Sequence, residues 1–268
     1  MNVLAIGCHP DDIEISCCGT LAKCVDRGDR VVVCHVANGN MGHEIIKPDE
    51  LRLIRREEAR RAGALAGIEV VTTDVGDLLP NGCSVEQRDK IADLIRQVQP
   101  DFIITHGPND YMPDHREVSK LVFDASFVAS CPQYGNGGKA AVVPIFYMDN
   151  LAGLNFVPTE FVDISDKIDL KIEMLECHES QLKWMRDHDN IDFAEFVRTC
   201  SRFRGIQCGV QYAEAFCQEL VWPKPWISMA YSLSSQVYFP SFSRPKIGNR
   251  NGIPHRGRSG DARFSGSQ

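Results

Sequence analysis

No two cysteines in this sequence are separated by two residues, although there are eleven of them. A zinc knuckle or a dithiol redox motif needs that spacing, so neither is expected. The adjacent pair Cys17 and Cys18 suits neither. The total is odd, and Cys8, Cys34 and Cys200 sit in apolar segments. The thiols therefore read as small, reduced hydrophobes of a cytoplasmic protein. A nucleophilic cysteine is the competing reading, and no position favours it. Long hydrophobic runs are also missing: nothing approaches the ~20 apolar residues that span a bilayer. The opening M-N-V-L-A-I-G-C-H-P lacks the basic start and extended apolar stretch of a secretory signal. Positive charge is short, with 29 Lys and Arg against 36 Asp and Glu, a net charge of −7. That balance argues against nucleic acid as a partner. It leaves a small neutral or acidic substrate open, and a homo-oligomer is compatible with it. No internal repeat is visible. The length suits one large α/β domain with an appendage, and a chain this long can bury a core without disulfides or structural metals.

What is present alternates between strand and helix. Val3 to Ile6 is a short apolar run bounded by turn residues, which predicts a buried strand. Gly19 to Arg27 has helical spacing and ends at Gly28. Arg30 to Val36 is β-branched and predicts a second strand. Asp49 to Gly67 is strongly helical, and Glu69 to Thr73 is strand-like. Ser84 to Val98 predicts a helix with Ser84 as N-cap and Gln87 completing a capping box. Phe102 to Thr105, Val142 to Met148 and Phe161 to Ile164 read as strands. Arg116 to Phe127 reads as a helix, and Asp166 to Met185 as one long helix. The alternation predicts an α/β fold: a Rossmann-like, mostly parallel sheet with helices on both faces. Residues 1–225 form the expected domain. Residues 226–268 are rich in Ser, Pro, Gly and Arg without apolar periodicity, and are expected to be a disordered or loosely packed tail.

Chemistry concentrates at two places. C-H-P-D-D-I-E, Cys8 to Glu14, directly follows the first predicted strand. One imidazole and three carboxylates within six residues repel one another unless a cation or a shared proton relieves them. Histidine and aspartate suit zinc. An aspartate pair capping the next helix would account for the same residues. T-H-G-P-N-D-Y-M-P-D-H-R, Thr105 to Arg116, follows another predicted strand and offers His106, Asp110, Asp114 and His115. Loops at the carboxyl ends of parallel strands can converge on one mouth, and two such clusters favour a metal site. A nucleotide-binding module would need G-x-G-x-x-G after the first strand. The residues there are G-C-H-P-D-D, whose aspartates would repel a pyrophosphate. His178 and Gln181 are expected to form a second layer around the site, and His35 to be a strand histidine.

Five segments in order resemble the PIG-L/LmbE-like family of zinc-dependent N-acetylglucosaminyl deacetylases. They are H-P-D-D followed by G-T-L; the R-R-E-E-A-R-R helix ending A-G-I; P-N-D-Y-x-P-D-H-R; K-x-x-M-L-x-x-H-E-S-Q at Lys171 to Gln181; and Y-A-E-A-F at Tyr212 to Phe216. The resemblance implies an LmbE-like fold. It implies a Zn2+-dependent hydrolase that removes an acetyl or other acyl group from the amide nitrogen of an N-acetyl amino sugar or its conjugate. It implies His9, Asp12 and His115 as metal ligands and Asp11 as the general base. It also places Asp114 in the catalytic machinery, with Arg55, Asp110 and Met112 toward the substrate. Three protein ligands leave one position for water, as catalytic zinc requires.

One residue departs from the pattern. Members of the family read H-P-D-H where this chain reads Met112-Pro113-Asp114-His115. The resemblance gives the missing histidine the task of stabilising the oxyanion or protonating the leaving amine, and methionine donates no hydrogen bond. Three groups are candidates to replace it: His106, Tyr111, or Asp11 acting twice. Otherwise the chain is a metal-binding relative with weak or altered activity. Asp114, lacking a histidine two residues upstream, is free to receive the second ring N–H of a neighbouring histidine.

Overall fold

The computed structural model describes residues 1–135, 139, 141–222 and 224–228. In chain order its elements are β1 (Asn2–Gly7), α1 (Asp12–Ser16), α2 (Cys18–Asp26), β2 (Arg30–Ala37), α3 (Pro48–Leu65), β3 (Glu69–Val75), α4 (Val85–Val98), β4 (Phe102–His106), α5 (Pro113–Ala129), β5 (Ile145–Met148), β6 (Glu160–Asp163), α6 (Ile168–Glu176), α7 (Glu179–Asp189), α8 (Phe193–Cys208) and β7 (Ala213–Gln218). The strands form one sheet in the order β3-β2-β1-β4-β5-β7-β6. The first five strands in sequence are mutually parallel. β7 runs antiparallel to both β5 and β6. No helix among the described residues is long and apolar enough to cross a membrane.

Successive side chains of a strand point to opposite faces, so a sheet covered on both sides needs apolar residues at every position. β1 shows this directly. Val3 and Ala5 pack into a core with α2 and Phe102, whereas Leu4 and Ile6 pack into the opposite core with α4 and α5 residues such as Ile91 and Leu121. β1 has β2 on one side and β4 on the other, so the strand order reverses there. Such a switch point opens a crevice beyond the carboxyl ends of the two strands, and both predicted clusters leave the sheet at this place.

Three local expectations are corrected. The long helix over 166–185 is two, α6 and α7, interrupted at Cys177 and His178. The carboxylate of Glu58 on α3 takes Ser180 N–H at 2.8 Å and Ser180 Oγ at 2.7 Å, capping α7 from outside and fixing the break. At α4, Ser84 Oγ does accept Gln87 N–H. The Gln87 carboxamide, however, reaches Asn81 N–H and Leu79 O, so the reciprocal half of the capping box is absent. The strand predicted from Val142 begins only at Ile145.

A buried ion pair ties the end of the domain to its beginning. Glu214 on β7 accepts Gly19 N–H at 2.9 Å and Thr20 N–H at 2.7 Å, at the start of α2, and pairs with Lys171 Nζ at 2.5 Å. This explains the glycine of the G-T-L motif: a Cβ at Gly19 would stand 3.0 Å from Ile164 and 3.1 Å from Glu214 Oε1. Lys171 and Glu214 are 1% and 3% exposed. Lys171→Met is expected to lower unfolding free energy by about 3–5 kcal/mol, because it leaves a buried carboxylate without its cation. Urea titration would measure this, and a loss under 1 kcal/mol (about one-third of the lower bound) would show that the two N–H donors suffice for Glu214.

The predicted tail lies, from residue 229 onward, outside the described residues. Its described first residues make contacts with the domain: Ile227 N–H donates to Gln218 Oε1 and Ser228 Oγ to Glu160, while just before it Gln218 Nε2 donates to Pro225 O.

Candidate metal centre

β1 ends at Gly7, and the chain turns through Cys8, His9 and Pro10 before α1 starts at Asp12. Asp11 stands at the turn with φ 141°, a region that favours glycine. Such a conformation costs about 1–3 kcal/mol and persists only where the surroundings fix it. The buried Arg55 guanidinium does so. It lies 2.9 Å from Asp11 Oδ1 and donates to Pro10 O. Close by, β4 ends at His106 and α5 begins with Pro113, Asp114 and His115 in its first turn.

The structure brings His9, Asp12, His106 and His115 together around one carboxylate. Asp12 Oδ1 lies 3.3 Å from His115 Nε2. Asp12 Oδ2 lies 3.6 Å from His9 Nδ1 and 3.2 Å from His106 Nε2, and accepts His9 N–H at 2.6 Å. Each outer histidine is held from behind by a second carboxylate. His115 Nδ1 is 3.1 Å from Asp110 Oδ2, and His9 Nε2 is 3.3 Å from Asp114 Oδ2. With a cation bound in place of the second ring protons, those contacts would keep the remaining proton on the back nitrogen and turn the lone pairs of His115 Nε2 and His9 Nδ1 toward the cation. His115 Nε2 is buried without a hydrogen-bond partner, which a ligand nitrogen awaiting a cation would be. Tetrahedral zinc with ligands at about 2.0–2.2 Å separates those ligands by about 3.3–3.6 Å. His115 Nε2 and His9 Nδ1 each stand at such a distance from Asp12, but on different oxygens of its carboxylate.

Charge balance points the same way. Burial works against the His115 cation, but Asp12 and Asp110 outweigh it and lift the imidazole to about 9. Burial alone would raise Asp12, yet His115 and His106 hold it well below the ordinary carboxylate range. Asp11 behaves differently: burial raises it, and the opposing pull of Arg55 does not cancel the effect. Two further residues are near enough to be ligands. Cys8, His9 and Asp12 offer one group of donor atoms and Asp12, His106 and His115 another, each within 4.8 Å. Without a cation nearby, burial pushes the Cys8 thiol up to about 12. The His106 Nε2 lone pair is taken by Cys8 N–H at 2.9 Å.

Several placements refine the expectations from sequence. Asp110, expected toward the substrate, sits behind His115, and its other oxygen accepts Met112 N–H at 2.9 Å. Asp114, expected to act catalytically, has one oxygen shared by His9 and Leu78 N–H, the latter at 2.8 Å. Arg55, expected on the substrate, lines the cleft and pairs with Asp11. Met112 does line the cleft. His178 is fully buried beside Glu14, 3.3 Å from its Oε2, and Gln181 donates to Gly42 O and lines the cleft. The cleft over the centre has a volume of about 400 Å³. Sequence reasoning missed its apolar wall, which comes from segments without a motif: Met41, Leu78, Leu151, Trp184, Met185 and Phe193. Asp110→Ala is expected to weaken metal binding about 10–100-fold by freeing the His115 ring. Competition with a chelator would measure it, and unchanged affinity would mean that Asp110 does not hold the ring.

The fold and this arrangement define a metal-hydrolase-like centre at the switch point of an α/β sheet. Residues 4–126 match the PIG-L family model, GlcNAc-PI de-N-acetylase. The chain is 31% identical to the diacetylchitobiose deacetylase of Thermococcus kodakarensis, over 80% of this chain and 81% of that protein. It therefore belongs to the PIG-L family of deacetylases. It is also 26% identical to the 4-oxalmesaconate hydratase of Pseudomonas putida, over 67% of this chain and 74% of the hydratase. The structure of N,N'-diacetylchitobiose deacetylase from Pyrococcus horikoshii superposes with a TM-score of 0.71 at 27% identity, covering 81% of this chain and 83% of that one.

Proposed function

We propose that the protein is a zinc-dependent N-deacetylase acting on an N-acetyl amino sugar or its conjugate, with His9, Asp12 and His115 holding the metal. The observation that carries this reading is the pair of back-braced histidines presenting their second ring nitrogens to the two oxygens of one aspartate. When bound, zinc supplies Lewis acidity toward the amide carbonyl and makes water a nucleophile near neutral pH. Asp11 orients the attacking water, accepts its proton and delivers that proton to the leaving amine. Its raised pKa brings it closer to the value at which one carboxylate can do both. Arg55 positions Asp11, and Asp110 and Asp114 position the two histidines. Eleven free thiols, five of them buried, suit a reducing cytoplasm.

With protonation of the amine given to Asp11, the remaining task of the missing histidine, stabilising the oxyanion, falls to Tyr111. His106 also lines the cleft, but its Nε2 accepts Cys8 N–H and its ring stacks on His115, whereas Tyr111 lines the cleft next to Met112 in the chain. Met112→His is expected to change kcat on an N-acetyl sugar by up to about 10²–10³-fold, since one oxyanion donor is worth about 2.7–4 kcal/mol. A gain identifies an enzyme limited by the lost donor, and a loss one adapted to methionine. Unchanged kcat and kcat/KM would place residue 112 away from the reacting carbonyl.

The direct test incubates zinc-loaded protein with N-acetylglucosamine and N,N'-diacetylchitobiose and follows acetate and free amine. Turnover that a chelator abolishes and zinc restores is the expected result. Absence of acetate from both, with water added instead to an unsaturated dicarboxylic acid, would assign the chain to hydratase chemistry and overturn the proposal.

A further inference from the structure

The cleft is unusually poor in side chains still able to read a second polar group. Asp77 accepts Gly39 N–H at 2.7 Å and Met41 N–H at 2.9 Å, one on each oxygen. Asn150 both donates to Leu154 O and accepts Leu154 N–H, each at 2.7 Å. Gln181 Nε2 donates to Gly42 O and Ser180 Oγ, which leaves its Oε1 as an acceptor, and the Arg55 guanidinium is held by Asp11 and Pro10 O, with its buried Nε unpartnered. Asp114 is shared by Leu78 and His9. Among the described lining side chains away from the metal centre, the hydroxyls of Ser16 and Tyr111, the indole N–H of Trp184 and the Gln181 Oε1 are what remains. A saccharide unit carries several hydroxyls, and each one desolvated without a partner weakens binding.

The remaining surface is apolar and continuous with the centre. Leu151, Met185 and Phe193 form one side, where they pack with Ile172 and Val197 in a small cluster of their own. Met41 and Leu78, 58% and 73% exposed, and Trp184 line the cleft as well. Large side chains left in water around a concave site gain most by covering an apolar ligand.

We infer that the substrate carries an apolar alkyl or aryl substituent next to the scissile amide, and that this wall binds it. The inference rests on the deacetylase reading and narrows its substrate class. The substituent is either the aglycone on the sugar or the acyl chain itself, and Met112 then serves as part of an apolar seat.

The experiment compares methyl and phenyl β-glycosides of N-acetylglucosamine, and N-acetyl with N-hexanoyl glucosamine, on zinc-loaded full-length protein. Carboxylate release gives kcat/KM, and calorimetric titration gives binding and its heat capacity. One apolar arm is expected to be favoured by about ten-fold or more. Its binding should show the more negative heat-capacity change of apolar burial. Met185→Gln, nearly isosteric, and Leu151→Asn are each expected to cut that preference to about three-fold or less. The arm that shows the preference identifies the source of the substituent. Equal turnover and equal heat capacity across all four compounds would overturn the inference and leave the deacetylase reading standing. Preferential binding of an apolar compound, lost in Met185→Gln, with no carboxylate released from any compound, would keep the subsite and overturn the reading. Neither binding preference nor turnover would overturn both.

Discussion

His115→Ala is expected to yield a folded protein that retains no zinc after purification and hydrolyses N-acetyl substrates at the background rate. The imidazole contributes more than one ligand atom. Its buried ring stands between Asp12 and Asp110, 3.3 Å and 3.1 Å away. Without it, Asp12 and Asp110 confront each other with less positive charge between them, and both carboxyl groups rise toward protonation. A protonated Asp12 is a poor ligand, so the loss extends beyond one of three donors. Metal analysis of the purified variant, alongside circular dichroism to verify the fold, gives the answer. Stoichiometric zinc in the variant would remove His115 from the ligand set. In that case His106, which stacks on His115 with ring centroids 3.9 Å apart, would be the residue to test next.

Asp11→Asn is expected to keep zinc and lose about 10²–10⁴-fold in kcat, the usual contribution of a positioned general base. The substitution separates chemistry from conformation. Asparagine, like aspartate, tolerates unusual backbone angles better than other residues, so the turn at φ 141° is kept. Arg55 loses a counter-charge but still has Pro10 O as an acceptor. A carboxamide cannot accept the proton of water, so a metal-loaded variant turning over within about ten-fold of wild type would exclude Asp11 as the base. KM is expected to move little by comparison, because Asp11 acts on water rather than on the ground-state substrate.

How much of this was visible beforehand depended on whether the determining interactions were local. The parallel half of the sheet was legible because each strand is an apolar run ended by turn residues. The two clusters were legible because they sit in short segments, and the reversal of strand order between β1 and β4 brought them together as parallel-sheet topology requires. Tertiary contacts decided what was missed. The interruption at His178 depends on Glu58, more than a hundred residues earlier in the chain. α8 was missed although its ends are marked locally, by Asp192 accepting Glu195 N–H at the start and Gly209 in the left-handed region at the close; β7 carries no comparable signal. The roles of Asp110 and Asp114 could not be separated by spacing, since both lie within five residues of His115, and only the ring orientations assign each to its histidine. The apolar wall draws on loops and helices from Met41 to Phe193, so no window of sequence contains it.

The position of β7 has a bearing on the order of events during synthesis. Until residues near 214 leave the ribosome, Lys171 has no counter-charge, the start of α2 lacks the carboxylate that accepts its N–H groups, and β5 and β6 have no common neighbour. The contact from Gly19 to Glu214 spans 195 residues, so forming it requires closing a loop almost as long as the domain. Contacts of that range slow folding because chain entropy is surrendered before the interaction is gained. A nascent chain carrying β1 to β4 can assemble the parallel strands and even approach the geometry of the metal ligands. It would do so with an open sheet edge at β5, where partially folded chains stick to one another. Completion therefore waits on the last strand, and premature termination before it should leave aggregates rather than a smaller working enzyme.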